Sequence, residues 1–250
     1  SQRDIRELQL AKAAIAAGIH MLSTRPVERY FLAGAFGNYV SIASARRNWD
    51  SASGPRMRPM TAGATGKRGG RTVATIVHAH GGPSSRVLRD FQPFRQLLVQ
   101  EGSAFLSVDF RGSTGLGRDF RLANLGEWGH ADLHDVIDAA RWAAAQPWSN
   151  GRLAMFGGSY GGYATGWGST YYSDRFAAGV MFVGISDKIA KFGTTDIPQE
   201  ESLVHALHYP WDNWQKFLER SPLYHAQKNH TPLLILGESG TGKELVARAI

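Results

Sequence analysis

The feature that most constrains the fold is a strand, a glycine-flanked serine and a helix in immediate succession at residues 152–162, RLAMFGGSYGG. The spacing Gly157-x-Ser159-x-Gly161 puts glycine on both sides of the serine, where a sharp strand-to-helix turn leaves no room for larger side chains. Such a turn lifts the hydroxyl clear of the sheet and aims it at the N-terminus of the helix, where partial positive charge favours a developing anion. The run therefore predicts Ser159 as a catalytic nucleophile.

Short apolar runs alternate with helical spacing from residue 72 onward, which is typical of a mostly parallel sheet covered by helices on both faces. The helical spacing covers Phe91–Gln100 and Asp132–Ala145. Right-handed crossovers place the carboxyl ends of all strands on one rim, where ligands of such sheets bind. The predicted strands are Val73–Ala79, Ala104–Phe110, Arg152–Phe156, Ala177–Val183 and Pro232–Leu236.

The run His80-Gly81-Gly82-Pro83 directly follows the first predicted strand, where this architecture supplies an oxyanion donor. Another donor is expected from the backbone N–H of Tyr160, the residue after the serine. The alternative for residues 80–83 is an ordinary loop in which the histidine has no role in catalysis. In combination with the glycine-flanked serine, we interpret Tyr160, His80 and Gly81 as the oxyanion-hole region.

Residues 72–236 resemble the catalytic α/β-hydrolase domain of the prolyl oligopeptidase family, in its dipeptidyl or acylaminoacyl peptidase branch. The resemblance implies a serine peptidase that cleaves short peptides, with Ser159 as nucleophile and Tyr160 and the His80 position lining the oxyanion hole. The expected fold is a truncated α/β-hydrolase fold with a mostly parallel sheet, plus an N-terminal helix-strand fragment. The matching runs, in the family's order and spacing, are HAHGGP at 78–83, DFRGSTGLGRDF at 109–120, NLGEWG at 124–129, FGGSYGGY at 156–163, DRFAAGV at 174–180 and SPLYHA at 221–226.

A serine hydroxyl needs a histidine within hydrogen-bond reach and an acid that orients this histidine. In the family the acid follows the last predicted strand in a Gly-x-x-Asp loop and the histidine comes later, whereas this sequence continues with GESGTGK at 237–243. Its last histidine, His230, precedes that strand, and both His225 and His230 are expected in loops. Asp187 is an alternative candidate for the acid, but the sequence offers no histidine that it would orient. We therefore expect the peptidase site to be impaired or inactive.

The sequence Gly237-x-x-x-x-Gly242-Lys243 is a phosphate-loop pattern between an apolar strand and a helix-forming segment. Its glycines, Gly240 included, allow successive backbone N–H groups to face a phosphate, and Lys243 would reach the terminal phosphates. The run GESGTGKELVARAI at 237–250 resembles the nucleotide loop of bacterial enhancer-binding AAA ATPases. As an alternative to the peptidase function, it implies a nucleotide- or phosphate-binding module with ATP as the candidate cofactor.

Residues 3–22 carry apolar side chains at alternating spacings of three and four, which predicts a helix with one apolar stripe. A short predicted strand at 27–32 and a glycine turn at 34–39 follow it. Through the runs DIRELQLAKAAIAAGI and LAGAFGNY, residues 1–47 resemble the C-terminal part of the actin-like ATPase domain of reductive activators of corrinoid proteins. The segment covers only part of that fold, so it implies no activity.

The net charge of +7 is concentrated between residues 46 and 71, where seven Lys and Arg residues oppose one Asp. Glycine and proline are frequent there and apolar periodicity is absent, which is typical of a flexible linker. A nucleic-acid partner is not predicted, because aromatic and base-reading groups are not interleaved with the charges. The predicted segments are 1–47, 48–71, 72–236 and 237–250. Because they resemble unrelated families, a further alternative is that the chain is a mosaic of fragments without function.

The absence of cysteine excludes disulfides, thiol catalysis and cysteine-ligated metal centres. No apolar run reaches the roughly 18 residues of a membrane span, and residues 1–6 lack a charged-then-apolar leader. We therefore expect a cytoplasmic protein whose partner is a short peptide substrate rather than a membrane or a nucleic acid. His130 and His134 have metal-compatible spacing, but an exposed helix face gives this pattern far more often, so no metal site is predicted.

Overall fold

The computed structural model describes residues 60–61, 72–88, 90, 92–237 and 246. The fragment 1–47 and the phosphate-loop residues Gly240, Gly242 and Lys243 lie outside the described residues. The basic segment 48–71 is described only at Met60–Thr61. None of the helices within the described ranges is both long enough and apolar enough to span a bilayer.

A six-stranded sheet forms the centre of the described part of the chain. The strands, in chain order, are β1 (Met60–Thr61), β2 (Val73–Ala79), β3 (Ala104–Val108), β4 (Ser149–Gly158), β5 (Ala178–Phe182) and β6 (Leu233–Leu236). Their spatial order is β1-β3-β2-β4-β5-β6, and every neighbouring pair is parallel except β1 and β3. The predicted mostly parallel sheet is confirmed.

Strand β1 is not among the predicted strands, because it lies in the segment that has the composition of a linker. Met60 and Thr61 pair antiparallel with Ser107 and Leu106 of β3. An edge strand of two residues needs only free backbone groups on its neighbour, so it leaves no apolar period in the sequence. The sheet therefore extends one strand beyond the predicted set.

Helices connect the parallel strands and cover both faces of the sheet. The two helices predicted from apolar spacing are confirmed at Pro93–Gln100 and Ala131–Ala144, with bounds shifted by one or two residues. In chain order the helices are α1 (Pro93–Gln100), α2 (Arg118–Leu122), α3 (Ala131–Ala144), α4 (Tyr160–Thr170), α5 (Lys188–Thr194), α6 (Pro198–Glu200) and α7 (Trp214–Glu219), with a π-helix at Glu201–His205 and 3-10 helices at Ser173–Arg175 and Pro222–Lys228.

Two apolar cores flank the sheet. The larger core joins α3 and α4 to the sheet face that carries Val77, Val108 and Met155. The smaller core packs Leu98 and Val99 of α1 against the opposite face. Burial on both faces explains why the central strands read as continuous apolar runs rather than as an alternation of apolar and polar residues.

The carboxyl ends of β4, β5 and β6 meet at one rim. The N–H of Ser159, directly after β4, donates to the carbonyl oxygen of Phe182 in β5 over 3.0 Å. The N–H of Val183 in turn donates to the carbonyl oxygen of Leu236 in β6 over 2.7 Å. These links place Gly237, the first residue after β6, on the rim that carries Ser159.

Replacing Gly161 by alanine should destabilise the fold, because the added methyl group would overlap the carbonyl oxygen of Ala79 in β2. We expect the free energy of unfolding to fall by about 3 kcal/mol, as when a close-packed core is overfilled. The measurement is urea denaturation of Gly161→Ala beside the wild type.

Gly193→Ala is the matched control, since a methyl group there meets no atom within 4 Å and the position lies inside helix α5. We expect this variant to be unchanged or more stable by up to about 1 kcal/mol. An equal loss of stability in both variants would contradict the packing argument.

Candidate active site

Ser159 occupies the turn between β4 and α4 with φ 56° and ψ −119°, in the left-handed region that a side chain rarely adopts. Its N–H donates to Phe182, and its carbonyl oxygen accepts a 3.0 Å hydrogen bond from the N–H of Tyr163. Strained backbone of this kind persists only where the surroundings hold it, and such positions cluster at active sites. The residue is exposed, so the turn presents its hydroxyl to solvent as the sequence predicts.

The glycines around Ser159 allow three backbone segments to meet at the turn. A methyl group on Gly157 would overlap the backbone of Gly161, at the start of the following helix. A methyl group on Gly162 would lie 2.7 Å from the Cα atom of Gly184 and 2.8 Å from the carbonyl oxygen of Phe182. The turn can form only with glycine at these positions.

Gly81, in the loop after β2, lies against the serine. A methyl group on Gly81 would be 3.5 Å from Cβ and 3.9 Å from Oγ of Ser159. The preceding residue, His80, is buried, and its ring stacks on Phe110 with centroids 4.4 Å apart. Its ring nitrogens contact the Gly81 carbonyl oxygen at 2.7 Å and the Ser113 hydroxyl at 2.8 Å. The structure therefore brings Gly81 to Ser159 and directs the His80 side chain into the protein.

Tyr160 offers its backbone to the site while its side chain lies in the core. Its N–H is the first of α4 and has no backbone acceptor among the described residues. The ring stacks on Phe110 and Trp128 with centroid separations of 5.6 and 5.3 Å. The hydroxyl donates to the carboxylate of Asp132 and accepts a 3.3 Å hydrogen bond from the Asn124 amide. These contacts hold the residue that follows Ser159 in place.

Asp132 is fully buried at the start of α3, where it accepts a 2.9 Å hydrogen bond from the N–H of His130 and a 3.4 Å one from the N–H of Gly129. Burial raises the pKa of Asp132 to about 6, although these N–H donors act in the opposite direction. The sequence marks Asp132 only as the start of a predicted helix. Its contact with Tyr160 joins residues 28 positions apart, which no local pattern reveals.

The hydrogen-bonded histidines of the described region have partners other than Ser159. His78, inside β2, contacts the Ser107 hydroxyl at 3.2 Å, and burial lowers the pKa of His78 to about 3. His225 contacts the carbonyl oxygen of Glu219 at 2.9 Å. His225 lies buried in a 3-10 helix, so its expected loop position is wrong; the packing of its ring against Trp167 explains the burial.

Asp187, the alternative acid, caps the N-terminus of α5. Its carboxylate accepts hydrogen bonds of 2.8 and 3.1 Å from the N–H groups of Ile189 and Ala190. A capping carboxylate satisfies N–H groups that have no partner within their own helix. In the structure, Asp187 therefore stabilises the start of α5.

A buried group of charged side chains packs around Trp128. Lys188 Nζ lies 3.4 Å from the centroid of the Trp128 ring. Lys191 pairs with Glu201, whose carboxylate also lies 3.2 Å from Nδ1 of His205. Burial lowers the pKa of Lys188 well below its usual value and lowers the pKa of Lys191 to about 8. No sequence pattern marks this group, because the tertiary fold alone brings its members together.

The structure describes part of the phosphate-loop candidate and the histidine pair at which no metal site is predicted. Gly237 of the phosphate loop lies on the rim directly after β6, and the rest of that loop lies outside the described residues. The rings of His130 and His134 lie 4.8 Å apart, and His130 also faces Glu127 at 3.4 Å. Within the described ranges, no group of three or more His, Asp or Glu side chains is arranged to hold a metal ion.

Two family models match the chain. The model of the prolyl oligopeptidase family covers residues 89–239, more than half of the chain. The model of the C-terminal domain of RACo, the ASKHA domain, covers residues 1–48. The first match includes the turn at Ser159, whereas the second lies outside the described residues.

Curated relatives include dipeptidyl aminopeptidase BIII of Pseudoxanthomonas mexicana, 42% identical over 171 residues, a match that covers 65% of this chain and 24% of the relative. The acylamino-acid-releasing enzyme of Sus scrofa is 32% identical over 171 residues, covering 66% of this chain and 23% of the relative. The chain thus spans about a quarter of the length of these relatives.

Solved structures with the same fold include a puromycin-hydrolysing peptidase of Mycobacterium tuberculosis, with a TM-score of 0.66 and 28% identity over 77% of this chain and 34% of that one. The acylaminoacyl peptidase of Pyrococcus horikoshii has a TM-score of 0.63 and 26% identity over 77% of this chain and 33% of that one. These similarities and the observed sheet confirm the predicted α/β-hydrolase fold.

His205 should make the stability of the fold fall in acid. Burial lowers the pKa of His205 to about 4 from a usual 6.5, so the unfolded chain binds this proton at a higher pH than the folded chain does. Stability from the neutral ring is therefore present above pH 6.5 and is lost as the pH falls towards 4. The full difference corresponds to about 3 kcal/mol in the free energy of unfolding.

Urea denaturation between pH 4 and 7 measures this effect in the wild type and in His205→Asn, whose amide retains a donor towards Glu201. The pH dependence should be weaker in the variant, whereas His208→Asn, at an exposed histidine of the same segment, should match the wild type. Parallel pH curves for the wild type and His205→Asn would contradict the prediction.

Proposed function

The chain belongs to the prolyl oligopeptidase family, and from that premise we propose that it carries the nucleophile of a serine peptidase that acts on short peptides. The observation that carries the proposal is the exposed Ser159 in a left-handed turn at the carboxyl rim of the sheet. Its similarity to dipeptidyl and acylaminoacyl peptidases supports the substrate class.

Attack of the Ser159 oxygen on a peptide carbonyl forms a C–O bond and moves negative charge onto the carbonyl oxygen. The N–H of Tyr160 at the start of α4 has no backbone acceptor among the described residues, so it is suited to donate to that oxyanion. Collapse of the tetrahedral intermediate then breaks the C–N bond, and the leaving amine takes up a proton. Water attack on the acyl-serine completes hydrolysis.

We further propose that none of the described residues acts as an effective general base for Ser159, so that turnover is impaired. The hydrogen-bonded histidines of the described region have other partners, and Asp187 caps α5. Without a base, the serine proton has no acceptor in the attack step. The serine would still react slowly with a strong electrophile.

A fluorophosphonate probe should label the chain slowly and stoichiometrically at Ser159. The serine oxygen displaces fluoride from phosphorus, and the phosphoryl oxygen, which gains negative charge during the attack, lies where the oxyanion donors are proposed. Intact-mass measurement should show one adduct in the wild type and none in Ser159→Ala. Ser84→Ala, at an exposed serine of the loop after β2, is the control and should be labelled like the wild type.

Labelling that survives in Ser159→Ala would contradict the proposed nucleophile. The proposed lack of a base predicts that hydrolysis of a short peptide p-nitroanilide is no faster for the wild type than for Ser159→Ala. Turnover that depends on Ser159 would instead show that a base acts within these residues.

The nucleotide-binding alternative rests on the sequence at residues 237–243 and on the position of Gly237 at the rim. If it is correct, ATP should protect the chain against thermal unfolding, and Lys243→Ala should abolish this protection. Lys228→Ala is the control, since it removes a lysine outside the loop and should retain the protection. Absence of ATP protection in the wild type would eliminate the alternative. If fluorophosphonate labelling also fails, a mosaic without function remains.

A further inference from the structure

One hydrogen bond between side chains ties the start of α4 to the start of α3. The phenol of Tyr160 donates to the carboxylate of Asp132, and both residues are buried, with Tyr160 1% exposed. We propose that Asp132 is a positioning residue for the oxyanion site: by holding the phenol of Tyr160, it fixes the backbone N–H of the same residue beside Ser159. This role rests on the proposed function of Ser159 as a nucleophile.

Asp132 is itself held by the backbone of the turn before α3. Its Oδ1 atom accepts a 2.9 Å hydrogen bond from the N–H of His130. Its Oδ2 atom accepts a 3.4 Å hydrogen bond from the N–H of Gly129, together with the bond from Tyr160. Because two of these three donors belong to the backbone, the carboxylate has a defined position from which it holds the phenol.

The side chain of Tyr160 is held at its hydroxyl and at its ring. An ionised carboxylate can only accept, so the phenol donates to Asp132, and the amide of Asn124 donates to the phenol oxygen over 3.3 Å. The ring stacks on Phe110 and Trp128. Tyr160 is the first residue of α4, so a side chain that cannot shift also limits the movement of the backbone N–H.

The charged and titratable groups that face Asp132 come from three other parts of the fold. Lys188 of α5 attracts the carboxylate, as does Arg111 in the loop after β3, which is itself paired with Asp135. Tyr163 of α4 stays neutral, because burial and Asp132 both raise its pKa. Burial raises the pKa of Asp132 to about 6 despite the attraction of Lys188. The charged carboxylate, which accepts the stronger hydrogen bond, is therefore present above about pH 6 and is lost below it.

Two substitutions break the contact from its two sides. In Asp132→Asn the side chain keeps its size but loses its charge, so it holds the phenol more weakly. In Tyr160→Phe the aromatic ring and the backbone N–H remain, and only the hydroxyl is lost. Asp138→Asn is the matched control, because it removes an exposed carboxylate from the same helix and should behave like the wild type.

The measurement is the equilibrium affinity of each variant for a peptide boronic acid. Its boron bonds to the serine oxygen, the hydroxyl proton passes to water, and the resulting tetrahedral anion places an oxygen at the oxyanion site. Complete loss of one oxyanion donor costs roughly 10²-fold, so we expect each single variant, in which the N–H is displaced but present, to bind about 10-fold more weakly. The double variant should also bind about 10-fold more weakly, because both substitutions break the same hydrogen bond.

A merely structural role for Asp132 predicts a different pattern. If the carboxylate acted only on the turn before α3, the two losses would be independent and the double variant would bind about 100-fold more weakly. That result, or unchanged binding in either single variant, would overturn the positioning role while the nucleophile stands. If boronate binding persists in Ser159→Ala, the proposed nucleophile fails and the role of Asp132 falls with it.

The backbone amide resonance of Tyr160 gives a second test, without a ligand. As the pH falls through about 6, protonation of Asp132 should shift this resonance in the wild type, and Asp132→Asn should not show the shift. The charge also acts directly through space, so Tyr160→Phe, which keeps the carboxylate but lacks the hydrogen bond, should show a smaller shift. Equal shifts in Tyr160→Phe and the wild type would overturn the proposal, because the phenol would then transmit nothing to the N–H.

Discussion

The close contact between α4 and the sheet at Gly161 and Ala79 is the constraint on which the site depends. Because no side chain separates the first turn of α4 from β2, the helix begins directly at the carboxyl rim. This forces Ser159 into a left-handed conformation and presents its hydroxyl to solvent. The same approach leaves the N–H of Tyr160 without a backbone acceptor in the described part of the chain, at a helix start where the dipole favours an anion. The contact that packs α4 against β2 therefore also places the Ser159 hydroxyl and the Tyr160 N–H at the rim.

A second layer of interactions holds this turn from inside the molecule. Tyr160 is tied to Asp132 and stacks on Trp128, and Trp128 in turn lies under Lys188. Burying so many ionisable groups carries a desolvation cost, which the mutual contacts and the shifts in pKa reduce. These contacts form only when their members are arranged in this way. They therefore favour a single position for Tyr160, the residue that follows Ser159.

Membership of the family does not show whether Ser159 is catalytically active in this chain. Membership follows from a match that covers more than half of the chain, and the fold agrees with it. Activity requires that a base reach Ser159, and the buried histidines of the described region have other partners. His80 is an example, because it directly follows β2 at the carboxyl rim of the sheet but its ring contacts Ser113.

Local patterns in the sequence were enough to predict the parallel sheet, the strand-turn-helix at Ser159 and the loop that brings Gly81 to it. These follow from local patterns: apolar runs of strand length, helical spacing, and glycines where a turn has no space for side chains. Only the tertiary structure decided the direction of the His80 ring, the anchoring of Tyr160 by Asp132 and the charged group around Trp128. The physical reason is that a side chain's direction and its burial depend on partners far away in the chain, whereas a turn depends on its own residues.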